Sequence, residues 1–154
     1  MPTELTELLN SVCQGIEAFE PDGKLRLPHL YNALSLLHVS LGEASWVGIY
    51  EKKGDELLLG PFQGTPACEA IRFGKGVVGS CYEQQKTIAV KDVHEFPGYI
   101  CCDPTAKSEI CVPLRVDEIV VAILDIDLPY IHEFTEEEVK AFETFAIDLQ
   151  RFLK

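Results

Sequence analysis

Positive charge is scarce in this chain of 154 residues: 13 lysines and arginines face 25 aspartates and glutamates, for a formal net charge of -12. The few basic residues form no cluster, which disfavours nucleic acid and anionic membrane surfaces as partners. Long apolar runs are missing too. None approaches the roughly eighteen residues that a membrane-crossing helix needs, and the opening MPTELTELLN lacks the basic, apolar, small-residue order of a signal peptide. A cytoplasmic location is therefore expected. No CxxC or HxxxH spacing occurs, although His94, Cys101, Cys102 and Asp103 lie close together. One histidine beside adjacent cysteines is a poor tetrahedral set, so no metal is expected. The segment FGKGVVG lacks the Gly-Lys-Ser/Thr ending of a phosphate loop and the full dinucleotide spacing. Its glycines suit a tight turn against a sheet, near a pocket mouth.

Apolar residues make up 47% of the chain, enough to fill the core of one domain spanning 1–154. Six cysteines (Cys13, Cys68, Cys81, Cys101, Cys102, Cys111) read as free thiols in a cytosolic chain of this size, some buried and some reactive. Leu5, Leu8, Leu9, Val12, Ile16 and Phe19 recur at helical spacing, and so do Leu30, Leu34, Leu37 and Leu41, which gives two helices within 1–42. Short β-rich runs follow from Trp46 to Asp127, with hairpins at Gly54-Asp55 and Asp117-Glu118 and a short helical segment after the glycines. Thr135 and Glu138 form a capping box for a last helix over 135–153. The fold class is thus α+β, an antiparallel sheet of about six strands covered by helices on one face.

The stretch GYICCDPTAKSEICVPL, from Gly98 to Leu114, places Cys101 and Cys102 before an Asp-Pro turn. In an extended chain adjacent side chains face opposite ways, so only one of the two can enter a given pocket. In AILDIDLP, Asp125 and Asp127 share one face of an otherwise apolar strand. Either the strand is covered on both sides and its carboxylates meet a cavity, or the pair caps a turn before Pro129. Glu109, at the start of EICVPL, poses the same question one hairpin partner away. Three converging carboxylates would raise each other's pKa and attract a small cation such as an amino acid's ammonium group.

The run from Trp46 to Asp127, with WVGIY, LLLGPFQGTPAC, IRFGKGVVG, DVHEFPGYICCDPTAKSEI and VAILDID in order, resembles the free methionine-R-sulfoxide reductases, which are single GAF domains. The resemblance implies a GAF-like sheet flanked by N- and C-terminal helices, with 45–127 as the catalytic core. It also implies reduction of free methionine sulfoxide with no bound cofactor. Cys102, in the Cys-Asp pair ahead of Lys-Ser-Glu-Ile, would be the nucleophile, and Cys101 would face away. Cys68 matches a cysteine that can resolve the oxidised nucleophile. A second family cysteine is replaced here by Val78, which leaves Cys81 as the alternative resolving residue. Trp46, Tyr50, Glu109, Asp125 and Asp127 match substrate-contacting positions, with Glu109 the candidate acid; the two aromatics also fit an ordinary core. Thioredoxin or another dithiol would recycle the disulfide, and a homodimer is implied. The competing readings are a GAF module that binds a small molecule without turnover and a thiol redox sensor.

Overall fold

A computed structural model describes residues 3–21 and 23–154. Helix α1 (Glu4–Ile16) begins where the Thr3 side chain accepts from the Thr6 amide, and helix α2 (Arg26–Leu41) ends at Gly42, whose φ of 107° suits a residue without a side chain. The first helix stops three residues short of its apolar stripe; Phe19 packs from the following turn instead. Strands β1 (Trp46–Lys53), β2 (Glu56–Gln63) and β3 (Ala70–Arg72) come next, then helix α3 (Gly76–Gln84) and strand β4 (Ile88–Val90). Strands β5 (Ser108–Val116) and β6 (Ile119–Leu128) form a long hairpin, and helix α4 (Glu136–Gln150) closes the described fold.

The sheet order is β3-β2-β1-β6-β5-β4, with every neighbouring pair antiparallel. This puts β6, the strand carrying Asp125 and Asp127, in the centre. Alternation then divides its residues between two cores. Leu124, Ile126 and Leu128 join Val47, Ile49 and Ile110 against α1, α2 and α4. Ile123 joins Trp46, Tyr50 and Cys111 against Val77, Val78 and Cys81 of α3. The expectation of helices on one face is corrected here: three helices cover one face, and α3 with its flanking loops covers the other. The short helical segment expected after the glycines is α3; its nine residues are too few for a clear apolar stripe to show which face it covers. Gly79 permits its close seating, since an added Cβ would run into the Arg72 carbonyl oxygen.

The Thr135–Glu138 capping box forms as read from the sequence. Its glutamate reaches further. One carboxylate oxygen of Glu138 accepts from the Thr3 hydroxyl at 2.7 Å, and the other contacts His132 Nε2 at 2.7 Å and accepts from the Thr135 amide at 3.1 Å. Burial pushes this carboxyl's pKa up, but the hydrogen bonds from Thr3, His132 and Thr135 together outweigh burial and hold it below its usual value. A carboxyl lowered on folding adds stability above its unfolded pKa of about 4.3, and that stability is lost as pH falls through the folded value. Glu138→Ala should therefore cost about 1–3 kcal/mol at pH 7 in urea unfolding, with the gap to wild type closing below about pH 4. An unchanged midpoint at pH 7 would show that the three contacts contribute nothing net.

Candidate active site

Strand register assembles the site. On the face covered by α3, Glu109 of β5 lies opposite Asp127 of β6, which lies opposite Trp46 of β1. One step along, Cys111, Asp125 and Gly48 form the next row. Three carboxyl groups and a thiol thus occupy neighbouring positions on two central strands, and all are buried: Glu109 and Asp125 are 5% exposed, Asp127 8% and Cys111 0%. The two aspartates lie within β6, so they do not cap the turn before Pro129.

The Cys111 sulfur is 3.4 Å from Asp125 Oδ1 and 3.6 Å from Glu109 Oε2, and its single proton can serve one of them at a time. Asp127 Oδ1 is buried with no hydrogen-bond partner. Among the described residues, no lysine, arginine or histidine forms an ion pair with any of the three carboxyls. Burial, then the charges of Asp125 and Asp127, lift the Glu109 pKa well above the usual carboxylate range. Asp127 is lifted by burial, then by Asp125 and the buried Asp103; Asp125 is lifted by burial, against hydrogen bonds with Glu109 and Cys111 that lower it. Such a cluster can hold a proton for transfer, or can ionise around an ammonium group whose three N–H donors match its free oxygens.

Two aromatics tie the cluster to the cysteines. The Trp46 indole N–H donates to the Thr65 carbonyl at 2.8 Å, and the Tyr50 hydroxyl donates to the Cys68 carbonyl at 2.9 Å. Both ends of segment 65–68 are thereby held against β1. Cys68 is disulfide-bonded to Cys102, 34 residues away in sequence, with their Cα atoms 5.2 Å apart. Just beyond Cys102, Asp103 accepts from the Thr105 amide at 2.9 Å and hydroxyl at 2.7 Å, which turns the chain back toward β5. Tyr99 packs against the core on the face that holds the carboxyls, and burial, then Glu109 and Asp127, raise its pKa. Cys101 is exposed and unbonded. Cys81 is a free, fully buried thiol, pushed up to about 12 by burial and by Asp125, and lies behind the cluster in α3.

Trp46 stacks on Tyr50 with ring centroids 6.0 Å apart and on Phe62 at 5.4 Å. The ring of Trp46 lies over Gly48, where any Cβ would overlap it and sit 2.6 Å from Phe62 Cβ. Glycine is thus required beside Asp125, because only its absent side chain lets the indole lean across the row. A surface cavity of about 640 Å³ lies elsewhere, between the β5–β6 turn and α4, lined by residues such as Pro21, Arg115 and Gln150.

These features can be set against known proteins. A model of the GAF domain matches residues 30–153. Protein YtsP of Bacillus subtilis is 43% identical over 140 residues, covering 90% of this chain and 86% of that one. The free methionine-R-sulfoxide reductase of Escherichia coli is 37% identical over 127 residues, covering 82% and 77%. The fRMsr of Staphylococcus aureus, solved in a complex with substrate, superposes with a TM-score of 0.81 at 36% identity, covering all of this chain and 98% of the other.

The chain belongs to the free methionine-R-sulfoxide reductase family of GAF domains. Every residue that the family resemblance singled out lies on the α3 side of the sheet or in the loops above it. Phe62, Cys111 and Gly48 were not singled out from sequence, and Asp103 was weighed only beside His94 and the adjacent cysteines as a metal ligand. Cys111 was within reach, since it follows Glu109 by two on one strand and so shares its face. Phe62 and Asp103 depend on cross-strand register and loop closure, which leave no local sequence mark. Val78 is buried in α3 and adds only apolar contact.

Buried carboxyls with raised pKa favour the protonated form in the fold, so stability is greatest below the unfolded pKa of about 4 and declines as pH rises toward the folded values. Asp127→Asn removes one such group, facing Glu109, Asp125, Asp103 and the Tyr50 and Tyr99 hydroxyls. It should stabilise the protein by about 1 kcal/mol or more at pH 8 and flatten the decline, as read by thermal melts at pH 5 and 8. A destabilised variant at both pH values would show that the carboxylate is held by favourable contacts.

Proposed function

We propose that this protein reduces free L-methionine-(R)-S-oxide to L-methionine, with Cys102 as nucleophile and Cys68 as resolving residue. The observation that carries the reading is the junction of Cys68 with Cys102 next to three buried carboxyls that have no cationic partner. The E. coli relative is named for this activity. In the reduced protein the Cys102 sulfur attacks the sulfoxide sulfur while the sulfoxide oxygen takes up a proton. The oxygen is transferred to sulfur, methionine leaves and Cys102 becomes a sulfenic acid. The Cys68 thiol then displaces water from it, closing the disulfide. An external dithiol such as thioredoxin reopens that bond by exchange and is itself oxidised, so the cycle consumes two thiols per sulfoxide and releases one water.

Glu109 supplies the proton. Its burial and its like-charged neighbours keep it protonated where an ordinary glutamate would be ionised. Asp125 and Asp127 receive the ammonium group, the free Oδ1 of Asp127 first, and Trp46 with Tyr50 lines the side-chain end. A thiolate is disfavoured beside carboxylates, so attack by the thiol with concerted proton transfer fits this setting better than a standing thiolate. The cycle suits a reducing cytoplasm. The exposed Leu27, Tyr31 and Val39 of α2 support a homodimer.

The Cys68–Cys102 bond equally suits a redox sensor, and turnover separates the two. With dithiothreitol, wild type should consume the R epimer and leave the S epimer, and Cys102→Ser should lose at least about a thousandfold in rate, the scale set by removing a nucleophile. Cys68→Ser should retain dithiothreitol-driven turnover and lose thioredoxin-driven turnover, whereas Cys81→Ser should retain both. Consumption of neither epimer would leave a sensor or binding module.

A further inference from the structure

We propose that Glu109, Cys111 and Asp125, with Asp127 beside them, form a binding site for a thiophilic divalent cation of the Zn2+ class, and that the cation competes there with the substrate's ammonium group. The competition rests on the function proposed above; the metal site itself does not.

A tetrahedral zinc with a Zn–S bond of about 2.3 Å and Zn–O bonds of about 2.0 Å sets its sulfur–oxygen edges at roughly 3.5 Å. The Cys111 sulfur lies 3.4 Å from Asp125 Oδ1 and 3.6 Å from Glu109 Oε2. One ligand atom from each of the three residues falls within 4.8 Å of the others. The cross-strand pairing of Cys111 with Asp125, and of Glu109 with Asp127, fixes these positions on backbone that cannot splay without breaking two central strands. An independent observation points the same way, to a missing cation beside the cluster. Asp127 Oδ1, on a residue 8% exposed and directly across from Glu109, is a buried acceptor with no partner.

The donor set selects the ion. Ca2+ and Mg2+ take six or more oxygen ligands and have no use for sulfur, whereas one thiolate with carboxylates at tetrahedral spacing suits Zn2+ or Co2+. Binding replaces the Cys111 S–H bond with a sulfur–metal bond and releases the proton to solvent; no electrons are transferred. Because Glu109, Asp125 and Asp127 are the groups that would surround an ammonium, metal and amino acid cannot occupy the cluster together. His94 and the adjacent cysteines, the group weighed from the sequence, take no part: Cys102 is joined to Cys68, Cys101 is exposed, and His94 pairs with Asp92.

Co2+ is the probe, because a thiolate ligand gives it a charge-transfer absorption that carboxylates alone do not. The full chain carrying Cys68→Ser, Cys101→Ser and Cys102→Ser keeps the cluster and removes the redox and exposed thiols. One equivalent of Co2+ should produce the band, excess Zn2+ should remove it, and free methionine should suppress it competitively. Adding Cys111→Val, which conserves volume, should abolish the band and weaken Co2+ binding at least about tenfold, while Cys81→Ala should leave it intact. Should the valine variant not fold, Asp125→Asn must weaken the titration by a similar factor. Absence of the band, or its survival in Cys111→Val, overturns the site. A band indifferent to methionine overturns the competition. A Cys111-dependent band in a protein that reduces neither sulfoxide epimer would uphold the metal site and sink the catalytic reading.

Discussion

Three carboxyl groups are buried side by side on the paired strands β5 and β6, and the cost of that placement organises the rest of the structure. A buried charge without a partner costs several kcal/mol, more than ordinary hydrogen bonds return. The protein meets part of the cost by holding protons on the cluster, while one oxygen, Asp127 Oδ1, is left without a partner among the described residues. In the function proposed above, a site arranged in this way is incomplete in the free protein and complete with a small cation inside. Burial therefore acts as the source of recognition, and it draws on stability supplied by the opposite face of the sheet, where α1, α2 and α4 pack an unbroken apolar core.

The same strands carry the means of reaching the cysteines. Trp46 and Tyr50 lie in the rows that hold Asp127 and Ile123, and each donates a hydrogen bond to the 65–68 segment. Cys68 is positioned by contacts on the floor of the site, so the redox bond and the carboxyl cluster are parts of one structure. Gly48 belongs to that structure although it has no chemistry of its own, because a side chain there would expel the indole.

The N- and C-terminal helices, though not their ends, both hairpins and the Thr135–Glu138 box were legible in the sequence, since each rests on local periodicity or turn chemistry. So was the shared face of Asp125 and Asp127, a consequence of strand alternation. A second covered face was only one of two readings of that pair, because α3 is short and its own Val77 and Val78 do not announce which layer they join. The motif order around Cys102 and Glu109 carried the family resemblance, but the sulfur–oxygen contacts of Cys111 arise from the register between β5 and β6, and register between strands is a property of the folded sheet. Alternation alone puts Cys111 on the face of Glu109, but its contact with Asp125 across the hairpin is visible only in the fold.

The account depends most on the claim that the buried carboxyls are reserved for an ammonium group. Calorimetric binding of methionine and of N-acetylmethionine to the Cys102→Ser variant tests it most directly, because acetylation removes the positive charge and leaves the thioether in place. The account predicts that N-acetylmethionine binds at least about a hundredfold more weakly, as expected when a buried charged site loses its partner. Equal affinities for the two ligands would contradict it.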